Sequence, residues 1–169
     1  MPLDKSALLD FLLEIDKALE ASITLVAVGG TALTLLDVKT STIDLDFTIP
    51  SNDYTVFKET LGRIPHGFNI DYWKDGMVFS QILPNDYLKR SISIERMKHI
   101  HLKALSPVDI VVTKIGRLDT RDKQDIEAAI RKFKLGKSQI EKRAKQVEYV
   151  GRDESYEANL NYVLEKLLN

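Results

Sequence analysis

Apolar residues follow two different periods along the chain, and these periods predict where helices and strands lie. From Asp4 to about Glu20 the leucines and isoleucine recur at helical spacing, which predicts an amphipathic first helix. The branched run from Ile23 to Val28 predicts a buried strand. Between Ile43 and Ile49 apolar residues alternate with polar ones, which predicts a strand with one apolar face.

The middle of the chain continues with strands and tight turns. Thr31 to Leu36 predicts a short helix that opens at the Gly29-Gly30 pair, and a helix capped by Ser51 or Asn52 is predicted to reach about Arg63. Strands are then predicted at 68–73 and 91–102. Between them, Asp75-Gly76 is a hairpin turn signal that leads into a strand at 77–83.

Beyond residue 105 only helical signals remain. Ser106, Pro107 and Asp109 predict a helix start in which serine caps, proline fills the first position and aspartate closes a capping box. Further helices are predicted at 121–133, after a Ser138 cap, and at 153–168. The predicted fold class is mixed α/β: a core of residues 1–105 and an all-helical region of residues 106–169 packed on it, which together form one or two domains.

Composition excludes several classes of protein. The chain of 169 residues contains no cysteine, which rules out disulfides and thiolate metal sites. No segment reads as a signal peptide or a membrane span, so we expect a cytoplasmic protein with no membrane partner. Its net charge of −1 is unevenly distributed, because residues 114–145 carry eleven basic and five acidic residues. This basic region is a candidate surface for a polyanion.

Two aspartates on the alternating strand carry the main chemical signal. Asp44 and Asp46 are two residues apart, so they face the same side of a strand at about 7 Å from each other. Ile43, Leu45 and Phe47 are then predicted to face the core. Two neighbouring carboxylates repel each other unless a divalent cation lies between them. The alternative interpretation is that both aspartates form the solvated face of an edge strand.

The glycine pair before this strand suits a phosphate. Gly29 and Gly30 lie where a predicted strand ends and a predicted helix begins. The unpaired backbone N–H groups at the start of a helix bind anions. Glycine lets phosphate oxygens approach the backbone closely. A phosphate-holding turn beside a metal-holding strand is the arrangement that metal-assisted phosphoryl or nucleotidyl transfer requires.

These motifs together resemble the nucleotidyltransferase superfamily. The shared pattern is hydrophobic-Gly-Gly, then Asp-hydrophobic-Asp-hydrophobic at Asp44 and Asp46, then hydrophobic-Asp-hydrophobic at Asp71. The stretches from Gly29 to Leu33 and from Lys39 to Asp46 resemble the small prokaryotic nucleotidyltransferases related to the abortive-infection toxins of type IV toxin–antitoxin systems. Their later motif, a helical lysine followed by Arg-Asp and a second Asp, matches Lys114, Arg121, Asp122 and Asp125.

The resemblance implies a function and a set of site residues. It implies the transfer of a nucleoside monophosphate from a nucleoside triphosphate to an acceptor hydroxyl, with two Mg²⁺ ions held by Asp44, Asp46 and Asp71. These three aspartates and Lys114 are the expected catalytic residues. Gly29, Gly30 and Thr31 are the expected nucleotide-binding residues. Many relatives have serine where this chain has Gly30, so either the Thr31 hydroxyl or the backbone alone is expected to bind the triphosphate.

The acceptor and the partners remain open at this stage. RNA (including tRNA) or a protein is the expected acceptor, with contacts from Arg121, Arg131, Lys132 and Lys134. The alternatives are a catalytically degenerate nucleotide-binding protein and an interaction module with an antitoxin partner. Trp73 and Phe79 are predicted to pack in the hairpin and not to stack on bases.

Overall fold

A computed structural model describes residues 2–151 and 153–168 of the chain. The strands are β1 (Leu3–Asp4), β2 (Ile23–Ala27), β3 (Ser41–Thr42), β4 (Leu45–Ile49), β5 (Ile70–Lys74), β6 (Met77–Val78), β7 (Gln81–Ile82), β8 (Ile92–Arg96), β9 (Ile100–Ala104) and β10 (Glu148–Tyr149). The helices are α1 (Lys5–Ala18), α2 (Gly29–Leu35), α3 (Ser51–Leu61), α4 (Tyr87–Arg90), α5 (Pro107–Lys114), α6 (Thr120–Phe133), α7 (Lys137–Ala144) and α8 (Asp153–Tyr162), and a π-helical turn follows at Val163–Leu167.

The central element is a five-stranded mixed sheet with the order β5-β4-β2-β9-β8. Strand β2 lies in the middle, antiparallel to β4 and parallel to β9, and β4 and β5 are parallel neighbours. The apolar residues of β2 are buried on both faces of the strand, as expected for a strand in the middle of a covered sheet. The predicted mixed α/β fold class is therefore confirmed.

Helices cover this sheet and share one hydrophobic core with it. Helix α3 contacts β2, β5 and α1, while α2 contacts β4 and α5, and α5 contacts α6 and α7. Buried residues from β2, β4, β9, α5 and α8 belong to the same apolar cluster, so the helical region packs on the sheet directly. No helix within residues 2–151 and 153–168 is long and apolar enough to cross a membrane.

The alternating strand differs from its prediction in two ways. Strand β4 begins at Leu45, and Ile43 is 51% exposed instead of facing the core. Its supposedly solvated face is also buried, because α2 packs against β4 and the Thr48 hydroxyl accepts a hydrogen bond of 2.8 Å from the Gly76 N–H. The interpretation of Asp46 as part of a solvated edge face is therefore wrong.

The predicted all-helical character after residue 105 is also wrong in one place. Strand β10 pairs antiparallel with β7, and β7 pairs with β6, which forms a small three-stranded sheet beside the main one. The single strand predicted at 77–83 is split, since the chain turns back between Val78 and Gln81. Neither β1 nor β3, which pair with each other, was predicted, because two-residue strands have no period of their own.

Two helix caps differ from prediction in an informative way. Ser106 caps α5 as expected, but the Asp109 carboxylate does not close the box, since it binds the buried Arg143 guanidinium at 2.6 and 3.1 Å. Arg143 also reaches Asp86, so it ties α7 to α5 and to the start of α4. Helix α7 begins after Gly136 and not at Ser138.

Candidate active site

Two aspartates face each other from neighbouring strands. In the parallel pairing of β4 with β5, Asp46 lies directly beside Asp71. Neighbouring strands are about 4.8 Å apart, so the two side chains project from the same face at short range. Asp44 lies two residues before Asp46, on the exposed approach to β4. All three line one cleft of about 720 Å³, which brings the three predicted metal ligands together.

Two threonine hydroxyls hold the backbone between Asp44 and Asp46. The Thr31 hydroxyl donates to the Asp44 carbonyl at 3.1 Å and accepts from the Asp46 N–H at 3.0 Å. The Thr42 hydroxyl donates to the same Asp44 carbonyl at 2.8 Å. Thr31 is fully buried and lies outside the cleft lining, so the prediction that its hydroxyl binds phosphate is corrected. Its role is to position the aspartates.

The surroundings of the Asp46 carboxylate favour a bound cation. Burial, followed by the charges of Asp71 and Asp44, raises the pKa of Asp46 to about 7 against the opposing effect of Arg117 and Lys114. One of its carboxylate oxygens, Oδ1, is buried with no hydrogen-bond partner. An ionised, unpartnered carboxylate beside two others is costly, and a bound divalent cation removes that cost. The donor set therefore fits Mg²⁺.

The aspartates do not form a closed ligand shell as they stand. Among the described residues, no three carboxylate or imidazole side chains are arranged so that they enclose a metal ion. Asp44 is exposed and its Oδ1 accepts from the Asn69 side-chain amide at 3.3 Å.

The opposite wall of the cleft is built from ion pairs. The Lys114 Nζ lies 3.1 Å from Asp122 Oδ1 and 3.0 Å from Asp125 Oδ2, and all three side chains are buried. Lys39 reaches Asp125 at 3.3 Å from the loop before β3. Burial opposes ionisation of Asp122, but hydrogen bonds and charges from Arg117 and Lys114 lower its pKa to about 2. The carboxylates of this wall keep the cations fixed beside the aspartate pair.

Sequence reasoning missed two cations of this wall. Arg117 binds Asp122 through Nε at 2.8 Å and Nη2 at 3.0 Å, and it lines the cleft together with Arg121. Lys39 stood inside the quoted motif but had no role assigned to it. Asp122 also closes a capping box with Asp119 at the start of α6, and this capping pattern was the one local signal for the wall.

The two glycines differ in their relation to the cleft. Gly29 has φ +54°, a conformation that favours glycine, and an added Cβ would lie 3.5 Å from Asp46 Oδ2. Gly30 lines the cleft, and a Cβ there would lie 3.2 Å from the Thr42 hydroxyl and 3.5 Å from Lys39 Nζ. Of the two glycines, only Gly30 therefore lines the cleft.

The four residues predicted to contact the acceptor lie in two different places. Arg121 lines the cleft, whereas Arg131, Lys132 and Lys134 are exposed further along α6 and at its end. The Lys132 Nζ donates to the Asp37 carbonyl at 2.9 Å, which ties the end of α6 to the loop after α2. Residues of the basic region are thus divided between the cleft and the surface beyond it.

The fold and the cleft together define a class of protein. A mixed sheet that presents aspartates from two adjacent strands, opposite a helical wall of cations, is the arrangement of the nucleotidyltransferase fold. The chain belongs to the family described as "Nucleotidyltransferase of unknown function (DUF6036)", which matches residues 6–165. No curated protein and no solved structure matches the chain significantly.

Proposed function

We propose that this protein is a Mg²⁺-dependent enzyme that transfers a nucleoside monophosphate from a nucleoside triphosphate to an acceptor hydroxyl. The observation that carries this proposal is the pairing of Asp46 with Asp71 across β4 and β5, with one Asp46 oxygen buried and unpartnered. A structural carboxylate would have a hydrogen-bond or ion-pair partner. An unpartnered one that opens on a cleft is suited to a ligand.

Each wall of the cleft has a distinct task in this reaction. Asp44, Asp46 and Asp71 would hold two Mg²⁺ ions, which when bound neutralise the triphosphate and favour the departure of pyrophosphate. Asp71 takes the proton of the acceptor hydroxyl. The acceptor oxygen then forms its bond to the α-phosphorus while the bond to the leaving pyrophosphate breaks. The Gly30 backbone and the wall cations position the phosphates.

The charge of the helical wall supports a polyphosphate ligand. Four cations line it, Lys39, Lys114, Arg117 and Arg121, against the two carboxylates Asp122 and Asp125. The wall therefore keeps an excess of positive charge. A triphosphate placed between this wall and Mg²⁺ on the aspartates is contacted by cations on both sides.

A labelling experiment tests the proposal. The protein is incubated with each α-labelled nucleoside triphosphate, Mg²⁺ and either total RNA or total protein, and the product is separated by size. We expect a labelled macromolecule with one or more triphosphates, and its loss in Asp46→Asn and in EDTA. Labelling that persists in both controls, or none with any triphosphate at high enzyme concentration, contradicts the proposal.

For the acceptor, we propose RNA held along α6. Arg131, Lys132 and Lys134 extend the positive surface beyond Arg121, where a long acceptor would continue out of the cleft. RNA affinity should then fall steeply with salt, because each phosphate that is neutralised releases counterions. Reversing the charge of these three surface residues should weaken RNA binding and spare triphosphate binding. The same reversal at Lys58, Arg63 and Lys89, which are exposed and do not line the cleft, is the matched control.

Two observations favour a second candidate function. The aspartates of the described chain do not enclose a metal ion as they stand, and Lys114 is fully engaged with two carboxylates. Both features would suit a protein that binds a nucleotide without transferring it. Tight binding of a triphosphate with no labelled product under any acceptor would favour this function over transfer.

A further inference from the structure

A guanidinium and an aromatic ring pack against each other in the lining of the cleft. The Arg117 guanidinium carbon is 4.6 Å from the centroid of the Phe79 ring, and both residues line the cleft. Behind Phe79, the Trp73 ring packs at 4.8 Å between centroids. Phe79 therefore contacts both Trp73, on β5 of the main sheet, and Arg117.

Two strained turns of the backbone bring this pair together. Phe79 has φ +52° at the turn between β6 and β7, and Leu118, which follows Arg117, has φ +47°. Bulky non-glycine residues rarely adopt this region because it is sterically unfavourable for them. The fold thus holds an aromatic ring and a guanidinium against each other at a conformational cost on both sides.

The guanidinium is bound along one edge and packs on an aromatic ring, yet about half of its side chain is exposed. Its Nε and Nη2 atoms are bound to Asp122, and one face lies on Phe79. The Arg117 side chain nevertheless remains 49% exposed and lines the cleft. A partly exposed planar group is a surface on which a nucleobase stacks.

We propose that Arg117, supported by Phe79, is the nucleobase platform of this cleft and that it favours purine nucleoside triphosphates. This inference rests on the function proposed above and assigns the base of its substrate. Because the edge of the guanidinium is occupied by Asp122, most recognition comes from stacking and little from hydrogen bonds to the base edge. Stacking strength grows with ring area, so purines bind more tightly than pyrimidines, while adenine and guanine bind alike.

The test distinguishes the contribution of the base to binding from that of the phosphates. Binding of ATP, GTP, CTP and inorganic tripolyphosphate is measured by calorimetry with Mg²⁺ and no acceptor. Quenching of Trp73, the only tryptophan in the chain, gives a second readout because its ring packs on Phe79. For the wild type we expect ATP and GTP to bind with similar affinity and more tightly than CTP.

Three variants assign the effect to the planar face of Arg117. Arg117→Lys keeps the positive charge and removes the planar group, so ATP affinity should fall by about fivefold or more while tripolyphosphate affinity changes by less than about twofold. Phe79→Leu, which removes the ring support, should act in the same direction. The control Arg121→Gln removes a charge from the same cleft and should change ATP and tripolyphosphate binding equally.

The outcomes distinguish this inference from the proposed function. If Arg117→Lys binds ATP as the wild type does, or loses ATP and tripolyphosphate in parallel, then Arg117 is a phosphate ligand and the platform is refuted while the proposed function stands. If the wild type prefers CTP, the platform is likewise refuted. If the wild type binds neither ATP nor tripolyphosphate, both inferences fail.

Discussion

The unpartnered carboxylate of Asp46 gives the structure a pH-dependent weakness that one substitution should remove. Its side chain is buried beside Asp71 and Asp44, and its pKa is raised to about 7. Replacing it with asparagine keeps the shape and removes the charge. We therefore expect Asp46→Asn to be more stable than the wild type at neutral and alkaline pH when no metal is present.

The size and the sign of the effect follow from proton linkage. Raising the pKa of Asp46 from 3.8 to about 7 corresponds to about 4 kcal/mol of folding free energy at most. Below the unfolded pKa both states are protonated, and the cost is absent. As pH rises toward 7 the unfolded chain releases this proton first, so the folded state loses stability, and above pH 7 the full cost is present. The gain from Asp46→Asn should therefore grow from near zero at about pH 4 to about 2–4 kcal/mol at about pH 8.

Urea unfolding in EDTA at several pH values measures this difference. Asp44→Asn is the matched control, because Asp44 is exposed at the same cleft and should change stability by less than about 1 kcal/mol. With saturating Mg²⁺ the order should reverse at pH 8, since the ion stabilises the wild type and not the variant. A gain from Asp46→Asn that is the same at pH 4 and pH 8 would refute the electrostatic reasoning.

Three further substitutions probe the scaffold. Arg143→Met should cost about 3–5 kcal/mol in urea unfolding because it leaves the fully buried Asp109 without its partner, and adding Asp109→Asn should recover part of that loss. Gly29→Ala should lower the free energy of unfolding by about 1–2 kcal/mol, since φ +54° disfavours a side chain; an unchanged melting temperature would contradict this. Tyr156→Phe should cost about 1 kcal/mol because its hydroxyl donates to the Val112 carbonyl at 2.8 Å, and hydrogen exchange should then show faster opening of α8.

The sequence predicted the elements whose signal is local. The apolar run of β2 and the alternation around Asp46 depend only on neighbouring residues, and each contains a strand of the main sheet, although β4 begins two residues later than predicted. Asp46 and Asp71 were expected in one cleft because the resemblance to the nucleotidyltransferase pattern joins them, and they are neighbours in the β4–β5 pairing. A period of two fixes the face of a strand whatever its partner is.

What the sequence did not predict depends on partners far along the chain. The local sequence predicts that Asp109 is a capping residue, but in the folded protein its carboxylate binds Arg143, 34 positions later. Lys39 is positioned in the cleft by its ion pair with Asp125, 86 positions away. Arg117 is positioned by a turn in which Leu118 adopts the left-handed region. Neither spacing nor propensity carries such information, because tertiary contacts decide it.

The position of β2 in the sheet has a consequence for how the chain folds. Its parallel partner β9 pairs Ile23 with Ile100 and Ala27 with Ala104, so the central strand lacks one neighbour until that later segment is available. Non-local pairing of this kind slows folding, since a long loop must close before the contacts form. During synthesis, β4 and Asp46 are therefore made before the sheet beside them can be completed. A chain that ends before β9 should remain unfolded, and the site should appear only in a late, cooperative step.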